Sequence, residues 1–318
     1  MRVLVTGGAG FIGHHLVRRL LADGNEVRVL DNMATGRRDR LDDLDVELVE
    51  GDLRSYERVH TAVRGVEVVF HLGALPSVPR SIQDPLTSSA VNVEGTLNVL
   101  LASRDESVRR VVFASSSSVY GANPALPKTE EDLPLPLSPY AVSKLAAEQY
   151  CRSFHVAYGL ETVALRLFNV FGPGQDPSSQ YAAVVPRFID ALRRDEPPTI
   201  YGDGEQSRDF TYVEDVVDGF VRAGHAEGAA GLVLNLAAGG RMSINELVRI
   251  ISARLGTVVE PHFAPAREGD VRHSQGSGRA AARVLSWETT WSIEDGLARC
   301  IDLFADGKQT FSAAVHAS

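Results

Sequence analysis

Thr6-Gly7-Gly8-Ala9-Gly10-Phe11-Ile12-Gly13 directly follows a short apolar run, Arg2 to Val5, and opens an amphipathic stretch, His14 to Ala22. Gly7, Gly10 and Gly13 are spaced G-x-x-G-x-x-G at what reads as a strand-to-helix turn. Glycines there give a tight turn, close approach of the backbone to a pyrophosphate, and close packing of helix on strand. A glycine triplet alone is a weak signal, but a second one accompanies it. Asp31 closes the next apolar run, Glu26 to Asp31. A carboxylate about 20 residues beyond the glycines can accept hydrogen bonds from the ribose diol of an adenine nucleotide. It would also repel a 2′-phosphate, which favours NAD over NADP, although Arg37 and Arg38 nearby argue the other way. The alternative for Asp31 is a solvated strand end. Phe11, Ile12 and Asn32 belong to the same two turns and join the expected coenzyme set. Asp52 and Leu53, after the run Val46 to Glu50, would border the adenine or form a simple turn.

Outward from that loop the alternation continues. Val66 to His71, Arg110 to Ser115 and Thr162 to Arg166 are further apolar runs rich in Val, Leu and Phe, with helical patterns such as Tyr140 to Tyr158 among them. Strands alternating with helices imply right-handed crossovers and a parallel sheet covered on both faces, an α/β doubly wound fold. After about Arg166 the rhythm breaks at Gly172-Pro173-Gly174, Asp176-Pro177-Ser178-Ser179 and Gly202-Asp203-Gly204. A helix from about Val184 to Arg194, short strands near Thr199 and Asp209, and helices near 214–226 and 243–255 predict a smaller α+β region. The expected division is a first domain over 1–166 with 213–236, a discontinuous second domain over 167–212 and 237–305, and a frayed tail over 306–318.

The 318 residues are 44% hydrophobic and 23% charged, which excludes global disorder. Acidic residues outnumber basic ones, 41 to 32, so a net charge of −9 argues against nucleic acid as a partner. No apolar run reaches the length needed to span a bilayer, and Gly7 and Gly8 interrupt what a signal peptide would need. With two cysteines, Cys151 and Cys300, lacking any metal spacing, a reduced cytoplasmic protein without a bound metal is expected.

Tyr140 and Lys144 stand one helical turn apart, after a helix start at Ser138-Pro139. A tyrosine hydroxyl titrates near 10, too high for a base at neutral pH, unless nearby cations stabilise the phenolate. Ser115-Ser116-Ser117-Ser118 follow a buried run and precede Val119-Tyr120-Gly121. At the carboxyl end of a parallel strand such hydroxyls face the ligand crevice.

These motifs resemble those of the NAD-dependent epimerase/dehydratase family of extended short-chain dehydrogenases/reductases, most closely its UDP-sugar 4-epimerases. Arg166-Leu167-Phe168-Asn169, Arg208-Asp209-Phe210 and Arg267-Glu268-Gly269-Asp270 extend the match to about Phe304. The resemblance implies a Rossmann-like coenzyme domain, with Leu72 and Ala74 on the coenzyme wall and Tyr140, Lys144 and Ser116 as catalytic residues. It implies that Tyr140 takes the proton of the sugar 4-hydroxyl, directly or through Ser116, while hydride passes from C4 to NAD and returns to the opposite face. Lys144 would hold the nicotinamide ribose and keep Tyr140 anionic.

The same resemblance implies a nucleotide-diphosphate sugar as substrate, UDP favoured. Ser117 and Ser118 would contact the sugar or cap backbone groups. Asn169, Arg208 and Arg267 would grip the diphosphate, the local alternatives being ion pairs of Arg208 with Asp203 or Asp209 and of Arg267 with Glu268. Val185 and Tyr201 would line the uracil pocket. Ser274 falls where related enzymes limit sugar size, and leaves room for an N-acetyl group at C2. Arg80 and Arg187 could meet a C6 carboxylate, so glucose, galactose, an N-acetylhexosamine and a uronate all stay open. Two departures stand out: Gly73 replaces the usual alanine, and Gln275-Gly276-Ser277 replaces the usual alanine-aspartate. His71 reads as a structural strand-end residue. A dehydratase or decarboxylase is the main alternative, disfavoured because Ser117 and Ser118 stand where an acid pair or a glutamate would be. A non-catalytic NAD sensor would not need to keep Tyr140, Lys144 and Ser116. Family members usually dimerise through two helices, here about Pro85 to Ser103 and Tyr140 to Tyr158, so a homodimer is expected.

Overall fold

Six of the apolar runs become strands: β1 (Arg2–Thr6), β2 (Glu26–Asp31), β3 (Val46–Glu50), β4 (Val68–His71), β5 (Arg110–Ser116) and β6 (Glu161–Leu167). The structure is a computed structural model, and it describes residues 1–177, 183–266 and 271–305. Successive strand residues enter two different cores, as a sheet covered on both faces requires. Val3 and Val5 of β1 face one core and Leu4 the other; in β5, Val112 and Ala114 oppose Val111 and Phe113.

The seven strands are parallel, in the order Val233–Leu236, β6, β5, β4, β1, β2, β3. The chain runs outward from β1 to β3, then returns to the other side of β1 at β4. The crevice outside the carboxyl ends of β1 and β4 is therefore the switch point at which such sheets bind ligands. Smaller two-stranded pieces lie beyond the main sheet: Val170–Phe171 with Thr211–Tyr212, Thr199–Tyr201 with His262–Ala264, and Ser207–Arg208 with Met242–Ser243.

The helix after the glycine loop spans Phe11–Ala22, beginning earlier than its apolar pattern because extended Gly10 serves as its N-cap. The stretch expected as one helix from Pro85 is interrupted. A helix at Pro85–Ser89 widens into a π turn at Ala90–Glu94 before Gly95–Asp105 resumes. Buried Asn92 lies within this turn and buried Thr96 just beyond it; Asn92 accepts from Leu75 N, and Thr96 Oγ1 lies against His71 Nε2 at the end of β4.

The helix that carries Tyr140 spans Pro139–Tyr158, capped by Ser138 Oγ, which accepts from Ala141 N at 3.2 Å, and ended by left-handed Gly159. Ala147, Cys151 and Phe154 press it against the sheet. A buried ion pair fixes its rotation: Glu148 meets Arg166 of β6 at 2.8 Å, and Ser115 Oγ of β5 donates to Glu148 at 2.5 Å. The Arg166 guanidinium lies 4.7 Å from the Tyr120 ring centroid, and the Tyr120 hydroxyl donates to Asn235 at 2.7 Å. Removing one partner of a buried pair strands the other charge. Glu148→Ala is expected to lose roughly 3–5 kcal/mol, read from the urea unfolding midpoint. An unchanged midpoint would mean that Arg166 does not depend on this carboxylate.

Candidate active site

The loops that leave β1 and β4 meet backbone to backbone. A Cβ at Gly7, whose φ is +71°, would lie 2.8 Å from Gly73 N, and one at Gly13 would lie 2.0 Å from Gly7 O. The helix that starts at Phe11 has no side-chain cap, so the N–H groups of its first turn are left for an anion. Asp31, buried at the end of β2, accepts from Ala9 N at 3.0 Å and Met33 N at 2.9 Å, which holds the carboxylate beside the glycine loop. Its pKa is raised by burial, against the pull of those donors. Asn32 Nδ2 donates to Asp52 at 3.0 Å, and Asp52, held ionised by Arg54, stands well below the usual carboxylate range. Glycine cradle, uncapped helix start and ribose-side carboxylate together fit a dinucleotide.

A second layer holds the wall opposite. Thr6 Oγ1 accepts from Gly73 N at 3.0 Å and lies 2.7 Å from His71 Nδ1, while His71 Nε2 lies 3.0 Å from Thr96 Oγ1. Burial, and then the Lys144 charge, push His71 down to about 3, so it stays a neutral structural link. Asn92 accepts from Leu75 N at 2.8 Å and donates to Ser143 Oγ at 3.0 Å; Ser143 Oγ donates in turn to the Tyr140 carbonyl at 2.7 Å. The 72–75 wall is thus tied directly to the Tyr140 helix. Sequence reading missed Asn92, although polar Asn92 and Thr96 at one-turn spacing amid apolar neighbours were a visible signal.

On the far side, His15 Nε2 lies 3.0 Å from the Pro173 carbonyl, and Arg40 donates to the carbonyls of Ala9 and Gly174 at 3.1 and 2.6 Å. These contacts clasp the glycine loop to the 172–177 turn.

One cleft of about 1600 Å³ joins these walls. Tyr140, Lys144 and Ser116 to Ser118 line it together with the coenzyme-side residues Gly7, Gly10 to Gly13, Asp31, Asn32, Asp52, Leu53, Leu72 and Ala74. The Tyr140 hydroxyl is hydrogen-bonded to Ser116; burial pushes it up to about 12, and only the Ser116 bond draws it down. Lys144 Nζ donates to the Ala114 carbonyl at 2.8 Å and lies 4.8 Å from the Phe113 ring centroid. Burial lowers Lys144 to about 8. In this arrangement, then, Tyr140 is a neutral phenol, and its conversion to phenolate requires further positive charge in the cleft. Ser116 caps the 3-10 turn Ser117–Tyr120, accepting from Ser118 N at 3.2 Å and from Ser118 Oγ at 2.9 Å. The cap of this turn is thus Ser116 rather than Ser117 or Ser118.

Asn169, Arg187, Tyr201, Arg208 and Ser274 line the other end of the same cleft. The Arg187 guanidinium stands 6.0 Å from the Tyr201 ring centroid. Arg208 donates to the carbonyls of Ser207 and Arg272, while Asp203 pairs with Arg272 at 2.8 Å. Val185 is the residue that the structure does not bring to the cleft: it packs into the core, and its neighbour Val184 lines the wall. Helix periodicity explains the difference, since adjacent residues point about 100° apart. Arg267 lies outside the described residues. Among the described residues no group of His, Cys, Asp and Glu could hold a metal, and no helix is long and apolar enough to cross a membrane.

The profile described as the NAD dependent epimerase/dehydratase family matches residues 3–237. The chain belongs to this family. Among its relatives, the UDP-glucose 4-epimerase of Mycolicibacterium smegmatis is 41% identical over 97% of this chain and 100% of its own length. A Thermotoga maritima UDP-glucose 4-epimerase solved with UDP-glucose superposes with a TM-score of 0.93 at 35% identity, over 96% of this chain and 99% of that one. The Thermus thermophilus UDP-glucose 4-epimerase, in complex with NAD, superposes at 0.89 with 38% identity, over 96% and 99%.

Within the family scaffold, the buried lysine gives a pH signature. Lys144 loses its proton near pH 8 in the folded protein and near 10.4 when unfolded. Between these values the unfolded chain binds more protons, so stability rises with pH. The stability of the coenzyme-free protein minus that of Lys144→Met is expected to climb from about pH 8 to 10 in denaturant titrations. A flat difference would mean that Lys144 keeps an ordinary pKa.

Proposed function

We propose that the protein is a UDP-hexose 4-epimerase that interconverts UDP-glucose and UDP-galactose, with N-acetylhexosamine and uronate analogues as candidate alternative substrates. The observation that carries this reading is the convergence of Tyr140, Lys144 and Ser116 on one cleft with the glycine loop and Asp31. Bound NAD supplies the hydride acceptor and donor and a positively charged ring. Gly7, Gly10 and the first turn from Phe11 to Gly13 would hold its pyrophosphate, Asp31 and Asn32 its adenine ribose, and Asp52 with Leu53 would border the adenine. Leu72 and Ala74 form the wall behind it.

Lys144 Nζ, released from the Ala114 carbonyl, turns to the nicotinamide ribose and adds its charge near Tyr140. The Tyr140 oxygen then takes the proton of the sugar 4-hydroxyl, directly or through Ser116 Oγ, as C4 is oxidised to the 4-keto sugar. The keto sugar turns about its bond to the diphosphate and offers its other face, and Tyr140 returns the proton to the oxygen on C4. Such chemistry needs a tightly held diphosphate and a loosely held sugar. Asn169, Arg187 and Arg208, with Arg267 outside the described residues, supply the grip; Tyr201 faces the base. Ser117, Ser118 and Ser274 give a hydroxyl-lined pocket around the sugar.

Dehydration is the weaker reading. Expelling the 6-hydroxyl needs a proton donor beside C5 and C6, and Ser117 and Ser118 are poor acids for it. Incubation with UDP-glucose followed by NMR is expected to show UDP-galactose as the one new product, in equilibrium with UDP-glucose; a 4-keto-6-deoxy sugar or a pentose would overturn the assignment. Tyr140→Phe is expected to lower kcat by roughly 10²–10⁴-fold while its NAD content stays at the wild-type level. Near-normal turnover would remove Tyr140 from this role.

The reading extends to a homodimer. The short helices Val78–Gln83 and Pro85–Ser89 pack beside Pro139–Tyr158 and leave Ile82, Leu86 and Val142 exposed, Leu86 by 83%. Light scattering is expected to give twice the chain mass, falling to the monomer in Leu86→Glu/Val142→Glu; a monomeric wild type would refute it. Two buried free cysteines suit a reducing cytoplasm.

A further inference from the structure

The segment 271–278 forms one wall of the substrate end of the cleft, where Val271, His273 and Ser274 line it. It contains no helix and none of the named strands, so its position depends on what holds it. Ser207 supplies one attachment: its N donates to Arg272 O and its O accepts from Ser274 N, both at 3.0 Å. Lys128 supplies a second, donating to Gln275 O at 2.7 Å and accepting from Ser277 N at 2.8 Å.

The third is Asp209. This carboxylate is 0% exposed, and its Oδ2 accepts from Gly276 N at 2.9 Å and from Gly239 N at 3.0 Å. Oδ1 is buried and makes no hydrogen bond among the described residues. The Asp209 carbonyl accepts from Asn169 Nδ2 at 3.0 Å, and Arg208 is its chain neighbour. One buried residue therefore links Asn169, Arg208 and the segment that carries Ser274. Ionised acceptors bind backbone N–H groups about twice as strongly as neutral ones.

Packing gives any movement of the segment a direction. A Cβ at Gly276 would lie 2.5 Å from Ala237 Cβ and 2.7 Å from Phe168 Cζ, so the backbone already rests on these side chains and cannot sink further inward. With the inner side blocked, weakening this attachment is expected to let the segment shift away from Ala237 and Phe168 rather than toward them.

We propose that Asp209 is a positioning residue that sets how closely the 271–278 segment approaches the sugar, and so sets the discrimination between substrates that differ in bulk at C2. This rests on the reading of Ser274 as part of the sugar pocket. Asp209 itself touches no substrate.

The test compares kcat and KM for UDP-glucose and UDP-N-acetylglucosamine in wild-type holoenzyme, Asp209→Ala and Asp209→Asn. Assays at pH 8 keep Asp209 charged, since burial raises it to about 6. Asp209→Ala is expected to raise KM for UDP-glucose about tenfold with kcat little changed, and to shift the kcat/KM ratio about five- to tenfold toward the N-acetyl sugar. Asp209→Asn keeps an oxygen for both N–H groups and is expected to restore the wild-type ratio. A merely destabilised protein would lose activity on both substrates in proportion, and that result overturns the proposal.

If Asp209→Ala does not fold, Gln275→Ala is the substitute. It removes only the 2.8 Å bond from Gln275 Nε2 to Gly239 O and should move the ratio less, in the same direction; an unmoved ratio there counts against the proposal. Ser274→Tyr separates the two layers of the argument. If it fails to disfavour the N-acetyl sugar, the pocket reading falls. If it succeeds while Asp209→Ala leaves the ratio unchanged, the Asp209 proposal alone falls.

Discussion

The arrangement depends first on a charge pair that water does not reach. Glu148 and Arg166 lock the helix bearing Tyr140 to β6, and the Ser115 hydroxyl brings β5 into the same contact. A helix packed only by Ala147, Cys151 and Phe154 could slide or rotate slightly, because apolar contact is not directional. A fixed carboxylate-guanidinium geometry forbids that. Tyr140 and Lys144, two and one turns before Glu148 on the same face, inherit their aim from it.

From this joint, two further ties spread. Through Ser143 and Asn92 of the π turn the helix holds the 72–75 wall; through Thr6, His71 and Thr96 that wall holds the glycine loop and the helix Gly95–Asp105. The coenzyme side is thus one hydrogen-bonded block. The substrate side is looser: its strands are two or three residues long, and 271–278 is attached at scattered points. A rigid half beside a compliant half suits a reaction in which one ligand must stay still and part of the other must turn over.

Much of this was legible in the sequence because strong local signals coincide with the sheet. Val, Leu and Phe runs mark the central strands, and Gly7 to Gly13 and Asp31 by themselves mark the crevice. Tyr140, Lys144 and Ser116 were legible as a set once those signals framed them. What escaped was tertiary. Asn92 makes its bonds with residues 17 and 51 positions away, and the π turn that serves it has no simple sequence pattern. Val185 falls on the core side of its helix, because the register of a helix face cannot be read from a short stretch. Asp209 stood inside a recognised motif, yet its burial and its hold on Gly239 and Gly276 follow only from how distant loops fold together.

The clasp made by His15 and Arg40 on the 172–177 turn carries a last implication. It joins the rim of the nucleotide cradle to the opposite bank and so closes that side of the cleft. An enzyme that returns every hydride it removes has no need to exchange a spent carrier for a fresh one. A bank held shut on that side suits a carrier that stays in its berth from one turnover to the next.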